Sequence, residues 1–286
     1  MNNDLKIHLS HILKESITVV SPVHGGDISS AYKVKTSNNS YFLKLNSSTN
    51  AAKMFQTEAY GLQIINEANT IKTPKVLACD IFQNSSFLLM EFIESKLPSS
   101  RDYINLGNQL AQLHQCTSDK FGLDHDNFIG SLPQSNKPNR TWTDFYITER
   151  LVPQLELAIQ KQLLSKYECP SAQNIKDFLK SLFKDIKPAL LHGDLWSGNY
   201  LISKNGVPYL IDPAVYFGHH EVDIAMTKLF GGFDATFYDA YYSNLKRDEN
   251  TSTRIEIYQL YYLLVHLNLF GSSYYGSVST ILKKYF

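Results

Sequence analysis

Neither sign of charge is in excess in this chain. Its 27 lysines and arginines match 27 aspartates and glutamates, giving a formal net charge of zero. Proteins that hold nucleic acid ordinarily gather a basic surplus on one face, so no nucleic-acid partner is expected. Long apolar runs are missing too. The longest candidate, Tyr258 to Phe270, is broken by Gln259, His266 and Asn268. A bilayer-spanning helix needs roughly 20 apolar residues, so this segment reads as a buried core helix and no membrane association is expected. The opening Met-Asn-Asn-Asp-Leu-Lys-Ile-His has no basic segment leading into an apolar core, which argues against a secretory signal. Cysteine is scarce: Cys79, Cys116 and Cys169 stand far apart and fit no metal-ligand spacing. They read as small packing residues in a reducing, cytoplasmic protein. The glycine-rich pattern G-x-G-x-x-G is also lacking.

What is present suits a folded protein of two lobes. The 286 residues are 43% hydrophobic and 19% charged, outside the composition of disordered chains. Asp4 to Glu15 carries a helical stripe of Leu5, Leu9, Ile12 and Leu13. Strands are expected at 17–20, 30–36, 41–45, 75–82 and 87–92, with a helix over 50–69 between the third and fourth. Glu94 to Ser100 is a polar, proline-containing linker. Residues 1–93 therefore read as a small, mostly antiparallel lobe and 94–286 as a larger, mainly helical one. Helices are expected over 103–116, 141–162, 172–183, 222–229, 235–245 and 254–269, and a hairpin over 200–211 turned at Asn205-Gly206. The fold class is α+β, with the bilobal plan of a protein kinase.

The chemistry concentrates in Leu191-His192-Gly193-Asp194-Leu195-Trp196-Ser197-Gly198-Asn199 and in Tyr209-Leu210-Ile211-Asp212-Pro213-Ala214. Asn199 stands five residues after Asp194, and Asp212 thirteen after Asn199. Phosphoryl transfer needs positioning and charge neutralisation more than covalent help. In that arrangement Asp194 faces the acceptor hydroxyl, while Asn199 and Asp212 offer two oxygen ligands for magnesium. Lys44, in the expected third strand, is the candidate contact to the phosphates of ATP, steadied by Glu58 on the following helix; Glu67 is a weaker rival. Gly25 and Gly26 lie one strand earlier, where backbone amides can approach phosphates. Met90, Glu91 and Phe92 close the small lobe where a hinge would meet adenine. His192 reads as a brace for the loop, and Glu221 and Asp223 as helix caps or loop braces. His219 and His220 beside them are not expected to bind a metal.

These residues resemble the fructosamine kinase (ketosamine kinase) family, within the wider aminoglycoside-phosphotransferase-like kinases. The wider group is matched by His192-Gly193-Asp194, Asn199 and Asp212. The narrower likeness lies in Leu195-Trp196-Ser197-Gly198, Ile211-Asp212-Pro213-Ala214, Tyr216-Phe217-Gly218-His219, Glu221 to Met226 and Leu229-Phe230-Gly231-Gly232-Phe233. Asn127-Phe128-Ile129-Gly130 adds to it, and the likeness spans nearly the whole chain. His220 stands where arginine is commoner in that family. The resemblance implies ATP- and magnesium-dependent phosphorylation of a sugar hydroxyl, O3, on a ketosamine that is free or carried by a glycated protein. It implies Asp194 as proton acceptor, with Trp196 either stacking on the sugar or packing beneath the loop. A monomer is favoured. An aminoglycoside- or choline-type acceptor is the alternative on the same fold. A silent nucleotide-binding regulator is disfavoured, because Lys44, Asp194, Asn199 and Asp212 are all present.

Overall fold

The computed structural model describes residues 1–23 and 29–286. After α1 (Asn3–Leu13), the N-terminal part holds β1 (Val19–Pro22), β2 (Ser30–Lys35), β3 (Ser40–Asn46), α2 (Ala51–Glu67), β4 (Val76–Phe82) and β5 (Ser85–Glu91). The strands form one antiparallel sheet in the order β1-β2-β3-β5-β4. β3 sits at its centre, with Lys44 between Ala31 of β2 and Leu88 of β5.

The period of two along a strand sends alternate side chains to opposite faces. Leu43, Val34, Phe87 and Leu89 pack beneath α1 through its Leu5 and Leu9. Asn2 Oδ1 caps that helix by accepting from Leu5 N at 2.9 Å. Phe42, Leu88 and Met90 face the other way, onto Phe55 and Leu62 of α2. Lys44 shares their register parity and so points towards α2. Burying a leucine as fully as Leu43 or Leu62 contributes about 1.5–3 kcal/mol.

The rest of the chain runs through β6 (Ser95–Lys96), α3 (Ser100–Leu113), the hairpin β7 (Asn127–Ile129) and β8 (Leu132–Gln134), α4 (Trp142–Tyr146), α5 (Val152–Gln160) and α6 (Ala172–Leu182). It continues with β9 (Ala189–Leu191), the hairpin β10 (Tyr200–Ser203) and β11 (Pro208–Leu210), β12 (Tyr216–Gly218), α7 (Glu221–Leu229), α8 (Ala235–Asn244), α9 (Thr251–Phe270) and α10 (Tyr275–Tyr285). α9 is buried on most of its circumference, as expected for the 258–270 run. Ile65 and Ile71, at and just beyond the end of α2, join the large core built by these elements.

Several local expectations are corrected. The polar stretch after residue 93 is not a plain linker: β6 pairs with β10, Lys96 opposite Ile202. The single helix expected over 141–162 breaks into α4, a π-helical turn over Ile147–Leu151, and α5. Pro153 is the physical reason, because it lacks an N–H and its ring crowds the carbonyl four residues earlier. That carbonyl, on Glu149, accepts instead from Arg150 Nη1 at 2.8 Å. The β7–β8 hairpin and α10 were not anticipated. Three-residue strands show no usable alternation, and α10 carries Gly276 and several β-branched or hydroxyl residues of low helix propensity. It is held by Val278 and Leu282 in the core.

Candidate active site

The loop between β9 and β10 carries His192 to Asn199. Its backbone is set by Gly193 at φ +85°, where a Cβ would lie 2.1 Å from the Ala214 carbonyl oxygen. Only glycine tolerates both the angle and the approach. Asp223, fully buried on α7, accepts from His192 N at 2.7 Å and from Gly193 N at 2.8 Å. His114 Nε2 lies 3.0 Å from the same carboxylate, and His114 Nδ1 meets the Tyr241 hydroxyl at 2.7 Å. Burial pushes the Asp223 carboxyl up, but His114, His192 and the Gly193 amide together hold it below its usual range. Tyr262 of α9 donates to Gly193 O at 2.8 Å.

His192 is itself a brace. Its Nε2 reaches Ile211 O at 2.8 Å, and its Nδ1 accepts from Asp194 N at 3.2 Å. Burial lowers its pKa, favouring a neutral ring. With both nitrogens engaged by backbone, it is placed to hold the loop and not to take a proton.

Asp194 and Asn199 are adjacent: Asn199 Nδ2 donates to Asp194 O at 2.8 Å and to Asp194 Oδ2 at 3.2 Å. Burial, and then the charges of Asp212 and Asp223, push the Asp194 carboxyl up to about 7. Asp212 follows β11 at φ +54°, a left-handed conformation that aspartate tolerates better than most residues. Its Oδ1 pairs with Lys44 Nζ, which also donates to Glu58 Oε1 at 2.8 Å. Burial disfavours the Lys44 charge, but Asp212 and Glu58 outweigh it and raise its pKa. Glu67 instead accepts from Gln63 on the helix surface, at 2.7 Å. α2 can approach Asp212 because residue 61 is glycine: a Cβ there would stand 3.1 Å from Pro213 Cγ and 3.3 Å from Val215 Cγ2. The structure thus brings together Lys44, Glu58, Asp212, Asp194 and Asn199 from four separate segments.

The remaining sequence candidates divide. Gly25 and Gly26 lie outside the described residues. Met90 is buried at the end of β5, Glu91 is exposed with its amide donating to Lys75 O at 2.9 Å, and the Phe92 ring lies 3.8 Å beneath Lys33 Nζ. Trp196 is 41% exposed, so it does not pack beneath the loop. Its indole crosses Gly198, where a Cβ would come within 2.4 Å of the ring. The 229–233 run docks on the same loop: Gly232 O accepts from Tyr103 at 3.1 Å and Tyr200 at 3.2 Å, and Ser197 packs against Gly232.

His219, His220 and Glu221 place possible ligand atoms within 4.8 Å of one another, yet each has protein partners. Glu221 binds Arg254 through both oxygens, at 2.6 and 2.8 Å, and accepts from Thr251. His219 Nδ1 meets the Tyr258 hydroxyl at 2.8 Å, and His220 Nδ1 that of Tyr241 at 2.9 Å. Desolvation first, and neighbouring positive groups second, hold both imidazoles below their usual pKa. These are structural contacts. His114, Tyr241 and Tyr262 carry no motif in the sequence, since their only signal is proximity across 69 to 127 residues of chain.

Comparison with known proteins agrees with this geometry. The family model described as fructosamine kinase matches residues 1–286. The chain is 39% identical over 285 residues to the "Probable ketoamine kinase" of Lactiplantibacillus plantarum, covering 98% of this chain and 99% of that one. It is 38% identical over 274 residues to the chloroplastic "Protein-ribulosamine 3-kinase" of Arabidopsis thaliana, covering 94% and 83%. A crystal structure of a candidate fructosamine-3-kinase from Haemophilus somnus superposes with a TM-score of 0.88 at 27% identity, over 98% of this chain and 96% of that one. An aminoglycoside phosphotransferase, at 16% identity and a TM-score of 0.65, shares the fold. The chain belongs to the fructosamine kinase family and is an ATP-dependent phosphotransferase.

Proposed function

We propose that the protein transfers the γ-phosphoryl group of ATP to a sugar hydroxyl, O3, of a ketosamine. The observation that carries the reading is the junction of Lys44, Glu58 and Asp212 beside the Asp194–Asn199 pair. It supports phosphoryl transfer, and kinship with ketoamine and ribulosamine kinases supports the acceptor. Residues 1–93 form the nucleotide lobe on this reading, with Met90, Glu91 and Phe92 beside the adenine and Gly25 and Gly26 near the phosphates. Residues 94–286 supply the acceptor site.

The donor set suits magnesium. Asn199 turns Nδ2 towards Asp194, leaving Oδ1 as its second face, and Asp212 adds a carboxylate. Such hard oxygen donors match that ion, and Asp212 and Asp223 add, after burial, to the upward push on the neighbouring Asp194 carboxyl. When bound, magnesium neutralises charge on the transferring phosphates. Lys44, held by Glu58 and Asp212, contacts the phosphates. Asp194 accepts the hydroxyl proton as the new O–P bond forms and the bond to the ADP leaving group breaks. Trp196 offers an exposed aromatic face to the sugar.

The test is ADP release by the purified protein with magnesium ATP and, separately, ribuloselysine, fructoselysine or an aminoglycoside. Turnover of a ketosamine is expected. Turnover of the aminoglycoside alone would overturn the acceptor, and no turnover with any would overturn the activity.

A further inference from the structure

Beside this site lies a cavity of about 280 Å³ that none of the roles above uses. One wall is the first turn of α2, through Asn50 and Lys53. The opposite walls are the β7–β8 hairpin, the π-helical turn with Glu149, and Gln154 and Tyr261.

Its floor is polar and rigid. Gln134, 3% exposed, accepts from the Tyr261 hydroxyl at 2.5 Å and donates to Asn127 Oδ1 at 2.8 Å. Asn127 Nδ2 in turn donates to Val215 O at 2.8 Å, three residues beyond Asp212. Gln154, 6% exposed, accepts from Asn268 through Oε1 at 2.8 Å. Among the described residues its Nε2 has no acceptor, although it is a donor lining the cavity. α9 reaches the cavity with Tyr261 and the catalytic loop with Tyr262. The floor is therefore tied to both segments that carry the reacting groups. Asp194 is also among the groups acting on the Tyr261 hydroxyl, whose pKa is raised mainly by burial.

Charge defines the occupant. Among the described residues Asp126 is engaged only by Asn136 N, at 2.9 Å, and Glu149 by Thr148 Oγ1, at 2.9 Å. Among the described residues neither carboxylate has a cationic partner, and Lys53 has no anionic one. Two carboxylates and a lysine around buried amides match a ligand with an ammonium and a carboxylate.

We propose that this cavity receives the amino-acid arm of the acceptor, its ammonium and its carboxylate together. Asp126 and Glu149 meet its ammonium, Gln154 Nε2 supplies a hydrogen bond, and Lys53 meets its carboxylate. Because Lys53 and Glu58 share α2, an arm in the cavity also ties that helix down while Glu58 holds Lys44. The inference rests on the ketosamine reading.

Three acceptors test it: N-fructosyl-glycine, N-fructosyl-methylamine, which lacks the carboxylate, and 1-deoxyfructose, which lacks the amine. In the Asp126→Asn/Glu149→Gln variant, KM is expected to rise about tenfold or more for both amine-bearing acceptors, the scale of a lost charge-assisted contact, and to stay level for 1-deoxyfructose. Lys53→Gln, on an exposed side chain, raises KM for N-fructosyl-glycine alone. Unchanged KM values in both variants, or equal rises on all three acceptors, overturn the subsite while leaving the activity standing. No turnover of either ketosamine by the unaltered enzyme overturns the function and the subsite together.

Discussion

The carboxylate of Asp223 holds the backbone of Gly193 at 2.8 Å, one residue before Asp194, from a helix 30 residues further along the chain. The same group binds His192 N and lies against His114 Nε2, so three donors converge on one buried charge. Asp223→Ala leaves those donors unpaired and is expected to cost about 3–5 kcal/mol of stability, the range for breaking a buried ionic contact. Urea unfolding measures this. Asp223→Asn keeps one acceptor oxygen, so the protein should fold with a smaller loss while kcat falls as the loop loosens. Unchanged kcat in a folded Asp223→Asn enzyme would show that the loop does not need this anchor.

With Asp194 as the proposed proton acceptor, Asp194→Ala should retain ATP and should lose roughly 10²- to 10⁴-fold in kcat. Titration calorimetry with an ATP analogue and steady-state kinetics report the two halves separately. Loss of nucleotide affinity with kcat preserved contradicts the assigned role.

Lys44→Met removes the cation shared by Glu58 and Asp212 and leaves two carboxylates facing one another. It should raise KM for ATP and lower kcat. Glu58→Gln keeps a hydrogen-bond acceptor for Lys44, so its defect should be smaller. Equal defects in the two variants argue that the pair acts through the helix and not through the ammonium.

Gly61→Ala asks Pro213 and Val215 to retreat by a few tenths of an ångström. Alanine is about 1 kcal/mol better than glycine in a helix interior, so thermal stability should hold or drop only slightly. Activity should fall further, because the substitution moves α2 relative to Asp212. Full activity at reduced stability would uncouple that contact from catalysis.

Acid stability should carry the signature of Asp102. Its carboxylate is hydrogen-bonded by Lys96, the Ser99 hydroxyl and the Ser99 amide, in that order of effect, and its pKa is lowered to about 2. The unfolded value is about 3.9, so the folded state prefers the ionised form. The stabilisation is complete above about pH 4 and is lost as pH falls towards 2. Asp102→Asn should flatten that part of a Tm-against-pH curve, and an unchanged curve would refute the assignment.

Much of this was legible from local pattern. Tyr41 to Leu45, following the Asn38-Asn39 turn, is expected as a strand, and in the structure strand parity puts Lys44 on the α2 side with Phe42. The Asn205-Gly206 turn was readable because Gly206 takes φ +77°. Spacing separated Glu58 from Glu67 only weakly; the structure makes the choice, since Glu58 alone reaches Lys44. What escaped was long-range or locally ambiguous. His114, Tyr241 and Tyr262 have no motif, β7 and β8 are too short to show a period, and Pro153 was read through as helix. The cavity is a further case, because its walls come from α2, the hairpin, the π-turn and α9 at once.

The pairing of β6 with β10 has a consequence for motion. With Lys96 fastened to Ile202, three residues, Phe92, Ile93 and Glu94, join β5 to the second sheet. Rocking of one sheet against the other has to bend this short pivot and strain the Leu210 N to Lys72 O bond of 2.9 Å as well. Glu94 sits in the pivot and binds Lys33 on β2 and Lys204 beyond β10, so one side chain spans the axis as a strap. Gly61 and Pro213 make a further contact, between α2 and the segment after β11. With Ile65 and Ile71 also set in the large core, Lys44, Glu58 and Asp212 are held at a seam with several fastenings rather than a single hinge.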